Sequence, residues 1–302
     1  MDAQPTTRLE DVRYLFRNRH YNIERFFAFG GSSELWLARD RRNNELVVVK
    51  CLMPSARDEK SLVAFACEAR LLKALSHSGV VELRSSWDYD NENIGAPYHI
   101  LEHVIGRPLN EIVKIAPIRG AEVIDIAMSL ARALAYLGTQ GVVHRDIKPA
   151  NIVWDSCRAV ILDFGIAIEY EIATSADDYR PVCLIPSFQR KHRVGDDTAT
   201  GIVNGTPGFM APEVILGAPA DHRSDLFSLG ATLYYVVSGY KAFQGHTDIE
   251  TATRTVQDDI PYFSSTNSQL DLVIRQLLAK DPDERFQSAE ELLYVLSTLY
   301  RT

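Results

Sequence analysis

The sequence has 302 residues, of which 46% are hydrophobic and 24% are charged, and these proportions are ordinary for a folded globular enzyme. The formal net charge of −8 argues against nucleic acid as a partner, because phosphate backbones require a basic surface. The chain has four cysteines without a CxxC pair, no apolar run long enough to span a bilayer, and no signal-peptide pattern, so we expect a cytoplasmic protein without a membrane segment.

The N-terminal part of the chain is predicted to be rich in β-structure after a polar extension over residues 1–22. Between residues 23 and 51 apolar and polar residues alternate. Two turn signals, Gly30-Gly31 and Asn43-Asn44, divide this stretch. The pattern predicts three antiparallel strands.

One helix and two more strands are expected next, at residues 61–75, 80–87 and 98–102. The remainder of the chain has mainly helical periodicity. The elements expected there are helices at 120–140, 223–239, 268–279 and 288–299, and short strands at 151–154 and 160–162. A small β-rich part followed by a larger helical part predicts an α+β fold with two lobes, residues 23–104 and 105–302.

Four short motifs occur along this pattern in a characteristic order. The segment His144-Arg145-Asp146-Ile147-Lys148-Pro149-Ala150-Asn151 resembles the catalytic loop of protein kinases. Val47-Val48-Val49-Lys50 precedes it, and Asp163-Phe164-Gly165 and Ala211-Pro212-Glu213 follow it. Each tripeptide alone is a weak signal, but their order and their positions on the predicted elements are specific. From about Arg25 to Phe286 the chain resembles a bacterial-type Ser/Thr protein kinase catalytic domain.

The resemblance implies transfer of the γ-phosphate of Mg·ATP to Ser/Thr hydroxyls of proteins, including the chain's own activation segment. Asp146 would accept the proton of the substrate hydroxyl or orient that hydroxyl, and Lys148 would stabilise charge on the transferring group. Lys148 also favours Ser/Thr over Tyr substrates. Lys50 would contact the α- and β-phosphates. Glu68 is its expected partner, because a carboxylate on the apolar stripe of the helix is costly without one.

The implied cofactors are ATP and Mg²⁺, with Mn²⁺ as an alternative metal. Asn151 and Asp163 would supply the oxygen ligands that Mg²⁺ prefers.

The loop over residues 27–35 resembles the kinase glycine-rich loop, but Ala28 and Ser33 occupy two of its glycine positions, and Val48 stands where alanine is usual. These departures bear on ATP affinity more than on catalytic competence. The predicted nucleotide-binding residues are Phe27, Ala28, Phe29, Gly30, Gly31, Ser32, Ser33, Glu34, Leu35, Val48, Lys50, Leu101, Glu102, Val104 and Val153.

Other residues are assigned structural roles by the resemblance. His144 would pack below Phe164, and Asp225 would hold the backbone of the catalytic loop. Arg285 is the expected buried partner of Glu213. The remaining structural candidates are Arg145, which precedes the catalytic aspartate, and Thr206, which is expected to bond Asp146 and Lys148.

The activation segment, residues 163–213, is unusually long. Its extra part, about residues 169–197, is acidic first and basic later, which indicates either a solvated surface or a docking or regulatory role. Thr198 and Thr200 resemble the paired threonines that bacterial kinases autophosphorylate. A phosphate on either residue would pair with Arg145 and order the segment.

Two other functions are alternatives to an active protein kinase. A pseudokinase scaffold that binds nucleotide or partners is suggested only by the altered glycine-rich loop and Val48. A small-molecule kinase should lack Ala211-Pro212-Glu213 and the Lys148 pattern. The expected partners are protein substrates and a second kinase copy for autophosphorylation, and relatives of this type often continue beyond the kinase domain.

Overall fold

The computed structural model describes residues 20–86, 97–170, 205–265 and 267–299. Most of the predicted N-terminal extension and of the activation-segment insertion lies outside the described residues, as do Thr198 and Thr200. The chain divides into two compact units. The first contains the described residues through Ser76 and those from Val81 to Val104, and the second contains the short piece from His77 to Val80 and the described residues from Ile105 onward.

The first unit is built on a five-stranded antiparallel sheet with the strand order β1-β2-β3-β5-β4. Its helix, α1, begins after Asp58, whose side chain accepts a hydrogen bond from the Ser61 backbone N–H. The elements are β1 (Tyr21–Phe29), β2 (Ser33–Asp40), β3 (Leu46–Leu52), α1 (Glu59–Ala74), β4 (Leu83–Ser86) and β5 (Tyr98–Glu102). The strands and the helix predicted for this part are present, although the strand expected at 80–87 is shorter.

The two faces of this sheet carry different kinds of side chain. Trp36, Val49 and Ile100 lie on one face, within a hydrophobic cluster formed by alternate residues of neighbouring strands. Lys50 is paired in register with Leu35 on one side and with His99 on the other, so these side chains share the opposite face. The alternation therefore separates a buried apolar core from a face that carries polar groups.

The second unit is mainly helical. Its elements are β6 (Arg107–Pro108), α2 (Leu109–Val113), α3 (Ala121–Thr139), β7 (Val142–Val143), β8 (Ile152–Trp154), β9 (Ala159–Ile161), β10 (Ile168–Glu169), α4 (Pro212–Ile215), α5 (His222–Ser238), α6 (Asp248–Gln257), α7 (Ser268–Leu277) and α8 (Ala289–Leu299). The four predicted long helices correspond to α3, α5, α7 and α8. Within the described ranges, none of the helices is long and apolar enough to cross a membrane.

Helix α5 lies at the centre of the second unit, and its side chains are buried on nearly every turn. A capping box formed by Asp221 and Ser224 starts the helix, and Gly239 in the left-handed conformation ends it. Gly230 permits close packing on α7, because a Cβ atom at this position would lie 2.6 Å from the Leu277 Cβ. This close packing fixes the helix that carries Asp225.

Candidate active site

A buried ion pair links β3 to α1 in the first unit. The Lys50 Nζ lies 2.6 Å from Glu68 Oε1 and 2.9 Å from Oε2, and the two side chains are only 9% and 2% exposed. Glu68 is on the face of α1 that also buries Phe65 and Leu72, so the helix directs the carboxylate toward the sheet. Both charges are thus compensated where water does not reach them.

The other nucleotide-binding candidates of the first unit lie on the same sheet. The register aligns Leu101 with Val48 and Leu35 with Lys50, which places all four on one face. The backbone N–H of Glu102, whose backbone is predicted to contact adenine, donates to the Glu82 carbonyl oxygen at 2.9 Å. Val104 follows β5 at the end of the first unit, whereas Val153 lies in β8 of the second unit.

The predicted glycine-rich loop is the turn between β1 and β2. The Gly30 N–H donates to the Ser33 carbonyl oxygen at 2.8 Å, and a Cβ atom at Gly30 would lie 2.8 Å from the Ser33 hydroxyl. No atom lies within 4 Å of a Cβ built at Gly31. Of the two glycines, Gly30 is therefore the one that packs closely against the rest of the turn. The other loop residues lie in or between these strands: Phe27, Ala28 and Phe29 in β1, Ser32 in the turn, and Ser33, Glu34 and Leu35 in β2.

The catalytic-loop candidates of the second unit converge on the Asp146 carboxylate. Its Oδ2 lies 2.7 Å from the Lys148 Nζ and 2.8 Å from the Asn151 Nδ2. Lys148 also donates to the Thr206 hydroxyl at 3.0 Å, and that hydroxyl lies 3.4 Å from Asp146 Oδ1. The carboxylate is consequently held in one orientation by groups from both the catalytic loop and the activation segment.

Asp225 in α5 fixes the backbone before Asp146. Its two carboxylate oxygens accept hydrogen bonds from the backbone N–H groups of His144 and Arg145, at 2.7 and 2.9 Å. Arg145 has a φ of 69°, a conformation that is costly for a residue with a side chain and that these hydrogen bonds help to hold. Burial raises the pKa of Asp225 above its ordinary range, against the opposing effect of these donors.

The His144 ring connects the catalytic loop to the Asp163-Phe164-Gly165 motif. Its Nε2 lies 3.0 Å from the Leu162 carbonyl oxygen and its Nδ1 accepts from the Asp146 N–H at 3.2 Å, an arrangement that requires the proton on Nε2. The ring also packs edge to face on buried Phe164, at 4.6 Å between centroids. His144 thus lies in a packed interior, where it orients the loop.

Asn151 and Asp163 have the donor types suited to Mg²⁺. The amide nitrogen of Asn151 is used inside the loop, so its side-chain oxygen is the atom suited to coordination. The Leu162 N–H donates to the Asn151 carbonyl oxygen at 2.8 Å, which brings the residue before Asp163 against Asn151. Among the described residues no group of three or more His, Cys, Asp or Glu side chains could hold a metal by itself, and a two-ligand site completed by phosphates and water is typical of Mg²⁺.

Glu213 is anchored by Arg285, which is fully buried. Its two terminal guanidinium nitrogens donate to the carboxylate, at 2.9 and 2.7 Å, and its N–H groups also donate to backbone carbonyl oxygens. This contact fixes the Ala211-Pro212-Glu213 motif at the start of α4.

Two polar side chains near these groups were not predicted from the sequence. Tyr170 donates its hydroxyl to the Ala220 carbonyl oxygen at 2.6 Å and is buried next to Val143. His99 is buried against α1 beside Glu68. The sequence signal for His99 is weak, because a histidine before the apolar residues Ile100 and Leu101 looks like an ordinary core residue.

The fold and these motifs define a protein kinase domain. The family model for the protein kinase domain matches residues 21–295, so the chain belongs to this family. It is 34% identical over 279 residues to serine/threonine-protein kinase PknB of Mycolicibacterium smegmatis, an alignment that covers 90% of this chain and 41% of that protein. It is also 33% identical over 279 residues to PknB of Mycobacterium tuberculosis strain H37Rv, covering 90% and 41%, and 31% identical over 295 residues to a probable PknB of Corynebacterium glutamicum, covering 93% and 42%. The chain thus spans about two fifths of the length of the curated relatives it matches.

Proposed function

We propose that this chain is an active Ser/Thr protein kinase domain that transfers the γ-phosphate of Mg·ATP to hydroxyl groups of proteins. The observation that carries the proposal is the cluster around Asp146, in which a carboxylate is held by Lys148, Asn151 and Thr206. Phosphoryl transfer requires mainly positioning and charge neutralisation, and this cluster supplies both. The curated relatives are named serine/threonine-protein kinases, which supports the choice of substrate class.

In the proposed reaction Asp146 orients the substrate hydroxyl and takes its proton as the oxygen attacks the γ-phosphorus. The bond between that phosphorus and ADP breaks, and Lys148 neutralises negative charge on the transferring group. Thr206 keeps Lys148 next to Asp146 through its hydrogen bond of 3.0 Å. The short contacts of Lys148 with Asp146 and Thr206 favour a role for Asp146 as proton acceptor and for Lys148 in charge neutralisation.

In this proposal, predicted site residues bind the phosphates and the metal. Lys50, oriented by Glu68, contacts the α- and β-phosphates, while Asn151 and Asp163 hold Mg²⁺ or Mn²⁺. The metal supplies charge neutralisation at the phosphates. The nucleotide-binding residues predicted from the sequence are proposed to surround the base and phosphates.

Regulation is proposed to involve phosphorylation of Thr198 or Thr200 by a second copy of the chain. Both residues lie outside the described residues, and the proposal depends on their place before Gly205 and on Arg145 beside Asp146. Because ATP is an intracellular substrate, we propose that the domain acts in the cytoplasm.

The proposal is tested with γ-labelled ATP and a generic protein substrate, in Mg²⁺ and again after chelation with EDTA. We expect label on serine and threonine, and not on tyrosine, in hydrolysed substrate from the Mg²⁺ reaction alone. Binding of ATP without transfer to the substrate or to the chain itself would contradict the proposal and favour a pseudokinase.

A further inference from the structure

His99 is a buried polar residue in β5, and its side chain is in contact with helix α1. Its ring lies parallel to the Phe65 ring, with centroids 3.7 Å apart and planes inclined by 11°. The residue is 1% exposed, so its ring nitrogens are shielded from bulk solvent. A buried imidazole usually requires a specific reason, because an aliphatic side chain would pack at lower desolvation cost.

One ring nitrogen of His99 is directed at the helix. The Nε2 atom lies 3.0 Å from the Phe65 carbonyl oxygen and 3.9 Å from Glu68 Oε2. A carbonyl oxygen only accepts hydrogen bonds, so Nε2 carries the proton and donates it. The same N–H therefore presents a positive dipole near the carboxylate that pairs with Lys50.

His99 and Lys50 are direct neighbours in the sheet. They are partners in the β3–β5 register, and both side chains extend from the same face toward Glu68. Burial and the Lys50 charge lower the pKa of His99 to about 3, so the imidazole is neutral at physiological pH. A neutral donor at this position does not add a second cation beside Lys50.

We propose that His99 is a positioning residue that fixes the rotation of α1, so that Glu68 stays directed at Lys50. The parallel ring stack sets the distance of the helix from the sheet, and the hydrogen bond to Phe65 sets its rotation. Phe65 precedes Glu68 by about one helical turn, so a rotation at Phe65 would move the carboxylate away from the ammonium group. This inference depends on the proposed kinase function, in which the Lys50–Glu68 pair orients phosphates.

Two matched variants separate the hydrogen bond from the packing. His99→Phe keeps an aromatic ring against Phe65 but removes the donor, whereas His99→Gln keeps an N–H donor at a similar reach. We expect kcat of His99→Phe to fall about tenfold with the Kd for Mg·ATP changed less than about threefold, and His99→Gln to recover most of kcat. The active fraction is measured for each variant from its stoichiometry of Mg·ADP binding, and folding is checked by circular dichroism.

Equal kcat values for wild type and His99→Phe would overturn the inference, and so would equal losses in both variants at unchanged active fraction. A second measurement does not depend on phosphotransfer or on folding of a His99 variant. In protein labelled with ¹⁵N-histidine, we expect the His99 Nε2–H tautomer and a shift of its resonance in Glu68→Gln. A proton on Nδ1, or a resonance unaffected by Glu68→Gln, would overturn the inference. A wild-type chain that transfers no phosphate would instead contradict the proposed function, and the ¹⁵N measurement would then decide on His99 alone.

Discussion

Arg285 and Glu213 form a two-pronged ion pair although they are 72 residues apart in the sequence. Arg285 has no exposed side-chain surface, and its other N–H groups donate to the carbonyl oxygens of Ala279, Lys280 and Arg223. The guanidinium group therefore depends on Glu213 for charge compensation.

We predict that Glu213→Ala lowers the free energy of unfolding by about 3 kcal/mol, because it leaves a buried guanidinium without its carboxylate. Urea denaturation followed by circular dichroism measures the change. Asp283→Asn is the matched control, since Asp283 is 84% exposed and pairs with Arg223 at the surface. The control should shift stability by less than about 1 kcal/mol. Similar decreases in the free energy of unfolding of both variants would contradict the conclusion that the buried ion pair contributes more than the exposed one.

Variants of the Lys50–Glu68 pair should affect the stability of the protein and its activity differently. Glu68→Ala leaves the buried Lys50 ammonium without this carboxylate, and we expect it to lower the free energy of unfolding by about 3 kcal/mol. The double variant Lys50→Met with Glu68→Leu replaces both charges by apolar groups and should recover part of that loss. Phosphotransfer should stay absent in the double variant, because no ammonium contacts the phosphates. Recovery of activity together with stability would refute the proposed role of Lys50.

The stability of the protein should depend on pH through His99. Its pKa is about 3 in the folded chain and near the ordinary value of 6.5 when unfolded, so between these values the unfolded chain binds more protons. This contribution is complete above pH 6.5 and is lost as the pH falls toward 3. At pH 5 the loss is about 2 kcal/mol relative to pH 7.5. The urea midpoint of His99→Gln should decline less steeply than that of wild type as the pH falls. An equal decline of the urea midpoint in the two proteins would contradict the prediction.

Phosphorylation of the activation segment is expected to raise activity. We predict that the double variant Thr198→Ala with Thr200→Ala has lower turnover than wild type, because no phosphate can then pair with Arg145. Thr253→Ala is a suitable control, since Thr253 is exposed on α6. Turnover and phosphosite mapping by mass spectrometry test this together. Unchanged turnover in the double variant, with no other phosphate on the segment, would contradict the prediction.

Most strands and long helices could be predicted from the sequence, because their buried faces are aliphatic or aromatic and repeat at the expected period. Helix α6 could not be predicted in this way. Its two buried residues are Thr251 and Thr255, so it lacks the apolar stripe on which the pattern depends. The short helices α2 and α4 are too brief to establish a period.

The residues of the candidate site likewise differ in whether they could be predicted from the sequence. Glu68 could be assigned because a carboxylate interrupts an apolar helical stripe, and that signal is contained in a single element. His99 could not, because its role depends on the register that pairs it with Lys50 and on the rotation of α1. A histidine within the strand Tyr98–Glu102 otherwise looks like an ordinary core residue.

The most direct test of the proposed kinase activity compares wild type with Asp146→Asn in labelled Mg·ATP. The substitution keeps the size of the side chain but removes the carboxylate that is proposed to accept the proton. We expect both proteins to bind nucleotide, with labelling of substrate and of the chain itself at least about a hundredfold slower in Asp146→Asn. Equal labelling by the two proteins would contradict the role of Asp146, and no labelling by a wild-type chain that binds Mg·ATP would contradict the proposed activity.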